Sequence, residues 1–472
     1  MARVLDTNSN PMWLLFPGCL GFLIWTNLLV AQTKPIEQAK PAAKVARSSD
    51  VASQADAWGQ WRGPAGNGSS DTAKPPVSWS ESTNVHWKTP IPGLGHASPV
   101  VWGQKVFVTS AVKFGPKFEP IYDKAPGSHD NLPVSQKHKY MVYCVDRESG
   151  KILWERTANE NVPHEGSHYS GSLASASPIA DQKHVFAYFG SHGLFCYDHA
   201  GKLIWKKSFG KMNTKHAHGE GSTPVLHGNT LVINWDHEGQ SWVAAFDKST
   251  GKQIWKRERN EVTSWSSPIV VEHKGQRQLI VAGTERVRSY DLQTGNIIWE
   301  CGGLSNNVCA SPVAANGIVV IGSSYEIKAM FAVRLDGAKG DITGSENVLW
   351  FRNQRTPYVP SPLIYQNKVY FFRHYQGVLT QVDLETGEEE IGPFRVNGLR
   401  EIYASPVAAN DKIYLTGRSG VTLVISHSEL PRLLSANRLE DSFSASPALV
   451  GNDLVLRGEN SLYLIRTSPS RD

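Results

Sequence analysis

Residues 175–205 read SASPIADQKHVFAYFGSHGLFCYDHAGKLIW. The stretch opens on a Ser-Pro pair, passes through two short apolar runs, turns at Asp198-His-Ala-Gly201 and ends on a tryptophan. Proline has no N–H, so it suits the first residue of a strand, where no ladder bond is lost. The serine before it can satisfy a neighbouring backbone group. Asp followed within a few residues by Gly is hairpin chemistry, because Asp bonds its own turn and Gly accepts positive φ. These signals spell four short antiparallel strands.

The unit recurs. Ser/Thr-Pro pairs end at Pro99, Pro178, Pro224, Pro268, Pro312, Pro362, Pro406 and Pro447, separated by 79, 46, 44, 44, 50, 44 and 41 residues. The first interval becomes ordinary once an extra segment from about Ala111 to Lys139 is discounted. The ending recurs as CVDRESGKILW at Trp154, AFDKSTGKQIW at Trp255 and SYDLQTGNIIW at Trp299, then decays to Trp350 after an enlarged turn and to Ile391 after DLETG. A period near 44 suits four strands per repeat, and eight repeats predict an all-β, eight-bladed propeller. The tryptophans fall on outer strands, where they can pack against the next blade. Only 25 residues follow the last Ser-Pro pair, room for about three strands. The segment Asn84-Val85-His86-Trp87-Lys88 is expected to supply the fourth and close the ring.

The Ser-Pro-Val and Asp-x-x-Thr-Gly-Lys-x-x-Trp elements together resemble the pyrroloquinoline-quinone (PQQ) repeat. That repeat builds eight-bladed propellers in quinoprotein alcohol dehydrogenases and in the propeller lipoprotein of the outer-membrane β-barrel assembly machinery. The opening WGQWRGPAGNGSS from Trp58 is similar to the start of exported bacterial PQQ-like propellers. For the quinoprotein branch the resemblance implies an adjacent Cys-Cys disulfide over the quinone, a calcium site of carboxylate and amide ligands, and an Asp base. This chain has five cysteines, none adjacent, and none of the other groups aligns. No cofactor is therefore expected.

Residues 12–31 are mostly apolar and follow Arg3, the layout of a signal peptide or N-terminal membrane anchor. Residues 32–57 turn to Lys, Ala, Ser, Gln and Pro and read as a flexible tether. The propeller takes residues 58–472, and the chain is expected to be exported to the periplasm or cell envelope. A net charge of +5 spread without blocks of like charge gives no sign of nucleic-acid binding.

If four antiparallel strands run outward in each blade, the loop leading into the inner strand and the turn between the second and third strands share one face. The Asp-x-x-Thr-Gly turns lie on the other. The first face receives ten of the sixteen histidines. Candidate ligand-binding residues there are His96, His168, Tyr169, His216, His218, Glu220, Trp265, Arg286, Asn307, Tyr358, His374 and Tyr403. The same face takes His164, His192, His237 and the blade-one insertion with Tyr122, Asp123, His129 and His138. No GxSxG elbow, phosphate-cradling glycine loop or H-E-x-x-H motif occurs.

The reading is of a non-catalytic exported propeller that binds a protein, ligand or envelope component, with membrane contact only through the N-terminal segment. Two alternatives stand beside it. One is a PQQ- and calcium-dependent dehydrogenase, the other a metal-dependent activity at His96, His168, His216 and His218.

Overall fold

The computed structural model describes residues 57–467 except 374, 375, 390 and 391. The leader, most of the tether, His374 and Ile391 lie outside the described residues. Eight small sheets follow one another along the chain, each a meander whose inner strand follows a Ser/Thr-Pro pair. Among the described residues only two single-turn 3₁₀ segments interrupt the strands and loops.

The eight residues before the prolines are joined in a circle. The N–H of Ser98 donates to Ser177 Oγ (2.9 Å), Ser177 to Thr223 (3.1 Å), Thr223 to Ser267 (2.9 Å) and Ser267 to Ser311 (2.8 Å). Ser311 then donates to Ser361 (2.9 Å), Ser361 to Ser405 (2.9 Å) and Ser405 to Ser446 (3.0 Å). Ser446 returns to Ser98 at 2.9 Å, across 348 residues of chain. Every one of these side chains is buried, so each bond satisfies an N–H that water cannot reach. The small hydroxyl residue of the repeat is thus the clasp between neighbouring blades.

A second contact repeats at the periphery. The indole N–H of Trp154 donates to His199 O of blade 2, Trp205 to Lys248 O of blade 3, Trp255 to Leu292 O of blade 4 and Trp350 to Leu384 O of blade 6. Each of these rings lies on the turn glycine of the following blade: Gly201, Gly251, Gly295 and Gly387. These glycines have φ near +70 to +79°, and a Cβ would come within 2.5–2.8 Å of the ring. Conformation and close approach both demand glycine there. The turn aspartates behave as read; Asp247 Oδ1, for example, accepts from Thr250 N (2.9 Å) and Oγ1 (2.8 Å). Trp299 departs from the series, bonding Gln278 within its own blade. The enlarged turn of blade 5 lays Gly340–Asp341 alongside Trp299–Glu300 as an extra parallel strand.

Val85–Pro90 pairs antiparallel with Ser461–Arg466, with Lys88 opposite Tyr463, and is the outer strand of the eighth sheet. Trp87 then docks on Arg147 O and Gly150 of blade 1, as the other tryptophans do on their neighbours. Arg147 crosses the same seam to Asp453 (2.8 Å), whose side chain is 2% exposed and also takes Arg466 at 2.6 Å. Apolar cores fill the seams; Val101, Val106 and Tyr143 of blade 1 meet Leu454, Tyr463 and Leu464 of blade 8. The blade-one insertion is shorter than the sequence suggests, because its flanking strands extend over Lys105–Phe114 and Lys137–Asp146.

Two outcomes check this account. Ser405→Ala leaves the buried Ser361 N–H without its acceptor and should cost about 1–3 kcal/mol in urea unfolding, whereas Ser405→Thr should cost far less. Gly295→Ala should destabilise clearly more than Gly228→Ala. Both have positive φ, worth about 1 kcal/mol or more, but only Gly295 faces a tryptophan, while a Cβ at Gly228 meets nothing within 4 Å.

Candidate functional site

The chain entering blade 1 runs across the centre of the ring. Trp58 pairs with Val101 of blade 1, Gly59 O accepts Ala180 N of blade 2 (2.7 Å), and Gln60 Oε1 accepts Leu226 N of blade 3 (3.3 Å). Two residues on, the Arg62 guanidinium donates to Pro362 O of blade 6 (2.6 Å) and Pro406 O of blade 7 (2.8 Å). Blades 2 and 3 face blades 6 and 7 in an eightfold ring, so residues 59–62 span the axis. Ser69–Ser70 then add to Ala408–Ala409 as a parallel strand in blade 7. Arg62 is 2% exposed and has φ +68°. Burial lowers its pKa to about 9, which leaves it charged at neutral pH. Gly68 gives it room, since a Cβ at Gly68 would strike the guanidinium.

This crossing makes the channel a blind well of about 260 Å³, floored by Trp61. All eight members of the hydroxyl circle line it, and above them stand His96, His168, His218, Glu220, Trp265, Tyr358 and Tyr403. Seven of the twelve residues picked from the sequence therefore meet in one cavity. Tyr169 packs tilted beside His168 on the rim (ring centroids 4.5 Å apart). His216 belongs to a rim group with His129 and His218, at centroid separations of 4.8–5.4 Å. Asn307 is buried and reaches Glu326, which pairs with Lys215. Arg286 sits away from the well, tied to Glu300 (2.7 Å) and Asp341 (3.2 Å).

The rim imidazoles are held through ring packing and hydrogen bonds. His129 Nδ1 meets Gly127 O, His216 Nδ1 meets Pro126 O, His218 Nε2 meets His129 O, and His168 Nδ1 meets Ser170 Oγ. Among the described residues no three His, Cys, Asp or Glu side chains are placed to hold a metal ion. Burial, with Arg418 and Arg457 adding to it, lowers His96 to about 3, and burial lowers His218 to about 4, so both are neutral near pH 7. His96 Nε2 is buried and has no partner.

Sequence reasoning missed Trp61 and Arg62, which lay in a segment read only as the start of the domain. It also missed Arg418, although strand alternation puts this turn between the second and third strands of blade 7 on the same face. Arg418 lies over the Tyr403 ring at 3.8 Å, donates to Ser444 Oγ (2.8 Å) and reaches Ser170 O of the loop leading into blade 2.

Beside the well, Glu220 turns its carboxylate to Ser191 N (2.7 Å) and Oγ (2.5 Å). Gly190 is required there, because a Cβ would overlap that carboxylate. Burial raises Glu220 to about 7, with Glu165 contributing. A carboxyl held higher in the fold than in the unfolded chain gives stability that is complete below about 4.5 and is lost as pH rises to about 7. Glu220→Gln should remove that slope, so its stability relative to the parent should rise between pH 5 and pH 8 in denaturant titrations.

With the geometry in place, three kinds of similarity are found. The family model described as outer membrane protein assembly factor BamB matches residues 138–388 and 239–470. A quinone-dependent 1-butanol dehydrogenase from Thauera butanivorans is 24% identical over 211 residues, 41% of this chain and 32% of the relative. BamB from Francisella salina is 25% identical over 100 residues, 21% of this chain and 18% of the relative. The matches thus span about a third or less of these curated relatives. A europium-containing methanol dehydrogenase superposes with TM-score 0.57 at 10% identity, over 87% of this chain and 91% of its own, a likeness of fold.

The well does not fit a quinone with calcium as the dehydrogenase pattern has it. Cys144, Cys196 and Cys301 are buried in three different blades, and Cys309 stands alone in the wall, so among the described residues no pair is placed to form the disulfide lid. Glu220 is the one carboxylate lining the well.

Proposed function

Because this chain belongs to the family of the outer membrane protein assembly factor BamB, we propose that it is an exported, non-catalytic propeller that docks a protein of the cell envelope on its histidine- and aromatic-rich face. The observation that carries this reading is the blind well. A channel closed on one side by residues 59–62 and open on the other has a single receiving face. The same face carries exposed aromatic side chains of the kind that anchor protein interfaces, Tyr169 beside His168 at 60% exposure and Tyr122 of the blade-one insertion at 67% among them. The opposite face carries the Asp-turn hairpins, whose tips are polar, as at Lys252 and Asn296, although apolar residues of the strands that leave them, such as Ile254 and Ile297, are exposed beside them.

Export rests on the apolar N-terminal segment of the sequence and on the family. Among the described residues no helix is long and apolar enough to cross a membrane. Photocrosslinking in intact cells tests the reading. A benzophenone amino acid at Tyr122 or Tyr169 should yield a discrete adduct with an envelope protein, and the same probe at Lys252 or Asn296 should not. Adducts from the hairpin face alone would reverse the assignment.

A further inference from the structure

The hydroxyl circle has a chemical polarity. Each of its eight oxygens accepts an N–H from the preceding blade, and none of the eight hydroxyl protons is donated to a protein acceptor in the described residues. All eight hydroxyls line the well, which is therefore ringed at its waist by unused O–H donors.

The surrounding charge has the same sense. Arg62 lies beneath, at the floor. Arg418 is at the mouth, and Arg418 and Arg457 both act on His96, whose buried Nε2 lacks a partner. Glu220, the one acid in the lining, spends both carboxylate oxygens on Ser191. A cavity walled by hydroxyl donors, with arginines behind the wall and at the mouth, selects a ligand made of acceptors.

Shape narrows the ligand further. Nothing threads past Trp61, so only an end or a side chain reaches the waist. A chain end brings two carboxylate oxygens and the preceding backbone carbonyls, all acceptors, within about the volume of the well. Tyr169 packs beside His168 and Tyr325 stacks on Tyr358 of the lining, and Ile121, Tyr122, Leu132 and Ile327 lie in connecting segments on the same face, all six 47–67% exposed. Such a rim matches apolar residues upstream of that end. We infer that the well receives the free C-terminal carboxylate of a partner protein, with the rim holding the apolar residues that precede it. This rests on the docking reading above and specifies its chemistry.

The test uses the full chain carrying Cys19→Ser and an array of short synthetic peptides with apolar residues before the last position. Each peptide is made as a free acid and as a C-terminal amide. A charged hydrogen-bonding partner is worth about 1.5–3 kcal/mol, so binding free acids should exceed their amides by about 10- to 100-fold. Acetate should compete where chloride at equal ionic strength does not. Cys309→Phe, which fills the well from its wall, should abolish the preference without lowering the melting temperature. His96→Gln should weaken it in the same assay.

Equal binding of acids and amides, preference for an internal Asp or Glu, or no binding across the array would each overturn the inference. If mouth-face crosslinks persist in those cases, docking survives and only its carboxylate chemistry fails. Loss of the crosslinks as well would take both.

Discussion

The hydrogen-bond circle running from Ser98 through Ser446 and back is the constraint on which the molecule depends. Each blade is a sheet of four or five short strands whose apolar faces need cover from neighbours. What each needs is a neighbour on both sides, and the circle gives every blade one at its innermost point. The bonds are individually worth about 1 kcal/mol net. Their position matters more, since each sits where an unpaired N–H would be sealed from solvent. The tryptophan-on-glycine contacts repeat the same logic further out at five of the seams, which are thereby fixed at two radii and filled with apolar side chains between.

Both fastenings were visible in the sequence, for a physical reason. A backbone group that must be satisfied eight times in the same way calls for the same small side chain eight times. A ring that must lie on a turn calls for glycine beneath it. Where the need lapses, the signal fades: Trp299 is met by an inserted strand and by Gln278, and the motif after it is stretched. The face assignment was legible too, because strand alternation is geometry and needs no coordinates. Seven of the chosen residues share the well for that reason.

The parts that stayed hidden do not repeat. Trp61 and Arg62 owe their places to a crossing between distant blades, and no period marks a segment used once. Buried arginine has no signature when its partners are carbonyls of Pro362 and Pro406, three hundred residues away in the chain. Arg286 and Asn307 sat on the expected face, but ion pairing with Asp341 and hydrogen bonding to Glu326 turned them from the axis. Alternation gives the side of the wheel; side-chain partners decide the radius.

The crossing segment also sets a direction. Ala57 lies opposite Trp102, at the end of blade 1's inner strand remote from His96, so the backbone enters the wheel from beneath the Trp61 floor. The first described residues therefore lie on the closed side of the well, as a stem lies under a cup, and leave the mouth clear.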